Sequence, residues 1–444
     1  MPAEQVSSWG NVLRRTHELI PLRYRDDPFP KIDPSSSALP YGNGRSYGDS
    51  CLNVGGALLP TRALDRFIEF DAERGLISCE AGVLFDEILR LSVPAGWFVP
   101  VTPGTRYVTV GGAIANDVHG KNHHIAGTLG RHVARFELLR SDGQRLMCSP
   151  TENAAWFAAT VGGLGLTGII TWAEFQLRRI PGPLMQVETL RFANLDEFLA
   201  LHSDSDRDFE YTVAWVDCLG QGRHLGRGLL QRANHASATA SAGKSSVAHT
   251  SGKHARGLNV PLSPPFSLVN STSLRLFNTA YYHWPRATRS LQSYESFFYP
   301  LDGIQNWNRL YGARGLYQYQ CVIPCARGRS GTAALLEGIA RSGLGSFLAV
   351  LKVFGSLPSP GMLSFPCEGI TLALDFANRG ERLERLFAEL DDIVAKTGGR
   401  LYPAKDGRMP GPLFRSGYPA WEAFTRFIDP RCSSSFWRRV MEVA

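Results

Sequence analysis

The segment Gly163-Leu164-Gly165-Leu166-Thr167-Gly168 has the G-x-G-x-x-G spacing of a dinucleotide-binding turn, and the residues after it constrain the fold. These residues, Ile169-Ile170-Thr171-Trp172-Ala173-Glu174-Phe175-Gln176-Leu177, are rich in β-branched side chains and alternate in polarity. They predict a strand where a nicotinamide Rossmann domain needs a helix, so that fold is disfavoured. The glycines then serve a close approach of backbone to a ligand or to another strand. Two further glycine-rich segments lie upstream. Pro40 to Ser50 (PYGNGRSYGDS) reads either as a bare turn or as a nest of backbone N–H groups for an anion such as a diphosphate. Pro103 to His124 carries Gly104, Gly111, Gly112 and Gly120, and two such loops suit a grip on one dinucleotide.

Between these loops, from Leu39 to about Arg179, short apolar runs alternate with glycine turns and predict strands, as at Gly55–Pro60 and Gly75–Gly82. One helix interrupts them at Leu84–Leu91, where apolar residues recur at i, i+3, i+4 and i+7, and Pro94 and Gly96 stop it. Pro181-Gly182-Pro183 breaks the chain and marks a domain boundary. Beyond it we expect a helix from Leu195 with Asn194 as its N-cap, strands at Leu316–Ile323 and Phe347–Phe354, and an amphipathic helix from Glu381 to Ala395 closed by Gly398-Gly399. Residues 233 to 265 have too few large apolar side chains to pack a core and read as a mobile loop: a lid, a docking segment or a disordered insertion.

At 444 residues the chain suits two domains or one large interrupted one, and 44% hydrophobic with 20% charged residues excludes a mostly disordered, collagen-like or coiled-coil chain. No apolar run approaches about 18 residues and the N-terminus lacks an apolar signal core, so neither a membrane span nor export by that route is expected. The 47 Lys and Arg against 40 Asp and Glu give a net charge of +7, spread singly or in pairs. That pattern reads as a solvated surface and not a nucleic-acid footprint, and leaves an anionic small ligand or anionic lipid surface open. Eight cysteines without a CxxC pair predict no zinc or other metal site, and buried free thiols in a reducing compartment.

The strings GNGRSYGD (42–49), PGT-x-x-VTVGGAIA-x-D-x-HGKNHH (103–124) and GGLGLTGIIT (162–171) together resemble the FAD-binding domain of the vanillyl-alcohol-oxidase type of flavoprotein. HGKNHH, YQYQ (317–320), LAVLK-x-FG (348–355), LSFP (363–366) and GGRLYPAKDGR (398–408) are similar to the branch of that family that oxidises polyprenylphosphoryl riboses. The resemblance runs from about residue 10 to the C-terminus and is weakest across 233 to 265. It implies an α+β fold with an FAD-binding domain made of residues 1–181 and 400–444, and an inserted substrate domain, 182–399, built on an antiparallel sheet.

The resemblance also implies the site. Asn43, Gly44, Arg45, Ser46, Tyr47, Gly48 and Asp49 would hold the FAD diphosphate. Gly104 and Thr109, Val110, Gly111 and Gly112 would run along the cofactor, with His119, Gly120, Lys121 and Asn122 beside the isoalloxazine, and Ile169 and Tyr402 as further flavin contacts. Asp49 stands where many relatives attach FAD through a histidine, which implies non-covalent FAD. Lys405 is the implied base that takes the proton of a sugar hydroxyl. Gln318, Gln320 and Lys352 would line the substrate cavity, Lys352 near a phosphate, with Tyr47 and Trp215 as flat walls, and Tyr47 and Lys352 count with Lys405 as the implied catalytic residues. Ala373 replaces a cysteine frequent in the close branch, and Cys367 lies too far along the strand to substitute, so reactivity toward electrophiles should be lost.

The implied activity is FAD-dependent oxidation of the 2′-hydroxyl of a polyprenylphosphoryl-β-D-ribose to the keto sugar, the first half of an epimerisation to arabinose for cell-wall synthesis. A short-chain reductase partner would follow, in the cytoplasm or peripherally at the inner membrane, with the 233–265 loop a candidate for lipid contact. The competing expectations are a soluble FAD-dependent alditol or aldose oxidase and a flavin-binding protein without turnover.

Overall fold

The computed structural model describes residues 3–237, 258–260, 270–284 and 288–442. The first elements form a four-stranded sheet in the order Ala3–Ser7, Arg14–Leu19, Ala57–Pro60, Ala38–Tyr41. A five-stranded antiparallel sheet follows, ordered Phe67–Asp71, Leu76–Glu80, Ile169–Gln176, Val133–Leu139, Arg145–Cys148. The residues after the Gly163–Gly168 string are thus the central strand of this sheet. Seven of its eight residues are wholly or half buried, and the helix of a Rossmann turn has no place there.

After the Pro181–Pro183 break the chain builds an eight-stranded sheet, ordered Arg289–Ser293, Leu184–Phe192, Gly228–His235, Tyr211–Val216, Ala349–Phe354, Gly369–Ala377, Leu316–Pro324, Arg400–Leu401, antiparallel at every pairing. Strand side chains alternate between faces. One face packs on the helices Leu195–Ser205, Cys325–Ser342 and Glu381–Lys396, burying Phe198, Leu335, Leu336, Leu386 and Leu390 in the largest apolar cluster. The opposite face presents Trp215, Val350, Lys352, Ala373, Asp375, Gln318 and Gln320 to a cavity. Register fixes which of them are neighbours: Gln318 lies opposite Asp375, Gln320 opposite Ala373, and Lys352 opposite Thr371.

The last helices return to the N-terminal part. Ala38 N–H donates to the Arg431 carbonyl at 2.7 Å, and Arg439 places its guanidinium between the buried carboxylates of Asp49 and Asp406, at 2.7 and 3.0 Å. The predicted helices at Leu195, with Asn194 accepting from Glu197 N–H, and at Glu381 form as expected.

Two expectations are corrected. The loop expected from residue 233 begins later, because Ala233, Asn234 and His235 complete the Gly228–His235 strand against Met185–Val187. Leu258–Asn259 pairs with Ile304–Gln305, and most of the remaining segment lies outside the described residues. The cysteines are free, but Cys325 is exposed and Cys51 and Cys367 are only half buried. Among the described residues no helix is long and apolar enough to cross a membrane.

Candidate active site

A cavity of about 980 Å³ lies between the two glycine loops and the open face of the eight-stranded sheet. Its floor is set by close backbone contacts. A Cβ on Gly48 would fall 1.6 Å from the Asp406 carbonyl oxygen, so only glycine lets the first loop meet the Tyr402–Asp406 turn. Tyr47 N–H donates to the Ala404 carbonyl at 2.9 Å across the same contact. The second loop turns into the short helix Val110–Ala115, whose N-cap Thr109 accepts from Gly112 N–H at 3.1 Å.

Three lysines enter this cavity. Lys405 holds its Nζ 4.1 Å from the centroid of the Tyr47 ring. Burial drives its pKa down, opposed in part by the charge of Asp375. Lys352 Nζ lies 3.3 Å from His119 Nδ1 and 3.5 Å from the Gly120 carbonyl. Burial first, and the positive charge of Lys405 second, push it down to about 7. Lys121 donates to the Phe297 carbonyl and is also pushed down to about 7 by burial and by Lys352. Amines of this kind are uncharged in part at neutral pH, which is what a proton acceptor needs.

His119 links two of the sheet residues. Its Nε2 meets Gln320 Nε2 at 3.0 Å and its Nδ1 meets Lys352, inside a ring of Phe354, Phe365 and Tyr402. Burial and the nearby cations keep it neutral. Its ring therefore orders Gln320 and Lys352 on the sheet face. Tyr402 stacks on Phe365 with centroids 4.6 Å apart and donates its hydroxyl to the Asn116 carbonyl at 3.0 Å.

Of the residues named from the sequence, Asn43, Gly44, Arg45, Ser46, Tyr47, Gly104, Thr109, Gly111, Gly112, His119, Gly120, Lys121, Trp215, Gln318, Gln320, Lys352, Tyr402 and Lys405 all border this one cavity. Five do not. Gly48 is consumed by the Asp406 contact, and Asp49 turns away to the Arg439 ion pair. Val110 points into the core as the first residue of its helix, and Asn122 donates to the Pro100 carbonyl at 2.9 Å. Ile169 packs with Ala38, Leu59 and Leu139, while its neighbours Gly168 and Ile170 reach the cavity. Ala373 borders the cavity, whereas Cys367 packs away from it beside the Phe354, Phe365 and Tyr402 cluster.

Sequence reasoning missed Asp375. It is buried, accepts from Gln318 Nε2 at 2.5 Å, and faces the electrostatic field of Lys405. The signal was available in strand alternation, since Asp375 lies two residues beyond Ala373 and so shares its face. Cys51 and Asp302 also border the cavity, with no motif to point to them.

The residues present fit FAD. Arg45 is stacked 4.3 Å from Trp9 and carries a buried Nε with no hydrogen-bond partner among the described residues. Gly44 takes a left-handed φ of 60°, and a Cβ there would meet the Tyr41 hydroxyl at 2.2 Å. Gly104 has open space where a Cβ would stand. Arg45, with three lysines that an incoming anion would charge more fully, outnumbers the two carboxylates, Asp302 and Asp375, and suits the cavity to phosphate groups.

Comparison with known proteins agrees with this chemistry. Residues 35–149 match the family model described as an FAD binding domain. Decaprenylphosphoryl-beta-D-ribose oxidase of Mycolicibacterium smegmatis is 37% identical over 395 residues, covering 88% of this chain and 85% of that protein. A Streptomyces coelicolor protein named for its place in the mprA 5′ region is 33% identical over 361 residues, 78% of this chain and 96% of that one. Cytokinin dehydrogenase 8 of Oryza sativa subsp. indica is 30% identical over 159 residues, 33% of this chain and 30% of that protein. The chain is an FAD-dependent oxidoreductase of vanillyl-alcohol-oxidase type and belongs to the family of decaprenylphosphoryl-β-D-ribose oxidase.

Proposed function

We propose that this enzyme oxidises the 2′-hydroxyl of a polyprenylphosphoryl-β-D-ribose to the 2′-keto sugar, the first half of an epimerisation to the arabinose configuration. The observation that carries the reading is the sheet face on which Lys352, Gln318, Gln320 and Asp375 stand together, with His119 of the second glycine loop tying Gln320 to Lys352 and with Lys405 in the same cavity. FAD, held non-covalently against the two glycine loops and Arg45, supplies the two-electron acceptor. The division into residues 1–181 with 400–444 on the cofactor side, and 182–399 on the substrate side, is part of the same proposal.

The chain's own residues divide the remaining work. The amides of Gln318 and Gln320 hold sugar hydroxyls, with Gln318 fixed by Asp375 and Gln320 by His119. A substrate phosphate beside Lys352 raises that amine's pKa and charges it. The new ammonium in turn repels protonation of Lys405, which then accepts the hydroxyl proton at Nζ. Tyr47, its ring beneath Lys405, excludes water from that nitrogen. The keto product needs a reductase to complete the inversion, and a short-chain NAD(P)H-dependent partner at a cytoplasmic or inner-membrane surface fits that need.

The test is a steady-state series of ribose phosphate esters with prenyl groups of increasing length, beside free pentoses and alditols. KM should fall as the prenyl group lengthens, since each buried CH₂ contributes about 0.8 kcal/mol. Equal KM values at all lengths, with efficient oxidation of free sugars, would assign the enzyme to soluble sugar oxidation instead.

A further inference from the structure

We propose that the isoprenoid tail of the substrate leaves the cavity over Thr189 and Leu229 and lies along the aromatic stripe of the Ser271–His283 helix that ends at Trp284. The proposal rests on the prenyl-linked reading above. A second cavity of about 280 Å³ is walled by Thr189, Leu190, Arg191, Leu229, Trp284 and Thr288. Thr189 and Leu229 also border the reaction cavity, so the two spaces adjoin on the same face of the eight-stranded sheet.

The helix above this passage carries two kinds of apolar side chain. Leu274, Asn278 and Tyr282 anchor it: Asn278 Nδ2 donates to Asp217 at 2.8 Å, and the Tyr282 hydroxyl donates to the Phe192 carbonyl at 3.2 Å. Phe277, Tyr281 and Trp284 fall at i, i+4 and i+7, one stripe beside the anchoring one. Phe277 stacks on Tyr281 with centroids 5.4 Å apart, and Tyr281 meets Trp215 of the cavity wall at 4.7 Å. From Tyr281, which borders the reaction cavity, the stripe extends by ring contact to Phe277, 40% exposed, and by helical spacing to Trp284, 65% exposed, which walls the second cavity. An exposed tryptophan that walls a cavity adjoining the reaction cavity offers an apolar ligand a flat surface.

Continuity with the reaction cavity selects the tail over an independent partner. An anion is disfavoured in the second cavity, because its Arg191 guanidinium is already committed to the Tyr282 carbonyl at 3.0 Å and to the Tyr282 ring. Leu276 is also exposed but stands on the outer side of the helix, away from the stripe, and serves as the control position.

The experiment uses the full-length holoenzyme and ribose phosphate esters of 5-, 10- and 15-carbon prenyl groups. The readout is the ratio of KM for the shortest to KM for the longest, with kcat and flavin content reporting the fold. The wild type should show a ratio above about tenfold, given the transfer free energy of each added isoprenoid unit. Trp284→Ser and Phe277→Ser should lose most of that ratio, Trp284→Phe should recover it, and Leu276→Ser should keep it. A wild-type ratio retained in both stripe variants would overturn the exit while leaving the prenyl-linked substrate in place. A ratio lost equally in Leu276→Ser would replace the track by a membrane-facing surface and overturn the proposal. A wild type without any length dependence removes the prenyl-linked reading, and the track falls with it.

Discussion

Lys405 sits over the Tyr47 ring with no carboxylate within ion-pair distance among the described residues, and Asp375 acts on it only through the field. Replacing it by alanine removes the proton acceptor while leaving the cofactor loops intact. Lys405→Ala should retain FAD and slow anaerobic flavin reduction by about 10²–10⁴-fold, measured by stopped flow. The sign of the pH dependence follows from the depressed pKa. Only the neutral amine accepts a proton, so reduction by the wild type should rise with pH and level off well below the ordinary lysine value of about 10.4. In the sequence these lysines looked like any surface cation. The motif likeness named them, but only the fold brings residues 119, 352 and 405 to one cavity, because His119 meets Lys352 and Lys405 across more than 200 positions in the chain.

At the scale of elements, the first glycine loop is held from behind by the C-terminal helices. Arg439 serves two buried carboxylates at once, and burial raises the pKa of Asp49 even with that partner present. Arg439→Met leaves both carboxylates uncompensated and should cost about 3–5 kcal/mol by denaturant titration at neutral pH. Without the cation the folded pKa of Asp49 rises further above its unfolded one. The variant's deficit should therefore be smallest below the unfolded carboxylate pKa and grow as pH rises through the raised Asp49 value. Asp49 also bears on attachment of the cofactor. It offers no imidazole and faces Arg439, so acid precipitation should leave a yellow supernatant, whereas colour retained in the pellet with flavin on His119 would contradict non-covalent binding. The strand after Gly168 was legible because its β-branched residues follow the glycine turn directly, although the structure buries it on both faces. The inward turn of Val110 and the withdrawal of Asn122 were not, because both depend on which side of a short helix or turn meets the core, and glycine-rich text has no periodicity to show it.

Across the whole molecule, one antiparallel sheet does two jobs. Its helix-covered face supplies the largest apolar cluster, and its other face is the polar wall of the reaction cavity. The Pro181–Pro183 break falls just before the sheet's first strand, and the sheet reaches past the Gly398-Gly399 stop, since Leu401 pairs with Cys321. The strand carries the chain directly into the Tyr402–Asp406 turn, which delivers Lys405 to the cavity. The sheet and the turn that bears Lys405 are thus continuous in the chain. The measurement that tests this account most directly is anaerobic bleaching of the flavin's visible absorbance by a panel of candidate substrates. A prenylphosphoryl-β-D-ribose should bleach the wild-type flavin fully and Lys405→Ala only slowly, while free ribose and alditols leave both oxidised. Rapid bleaching by free sugars, or equal bleaching of the two proteins by the prenylphosphoryl ribose, would contradict it.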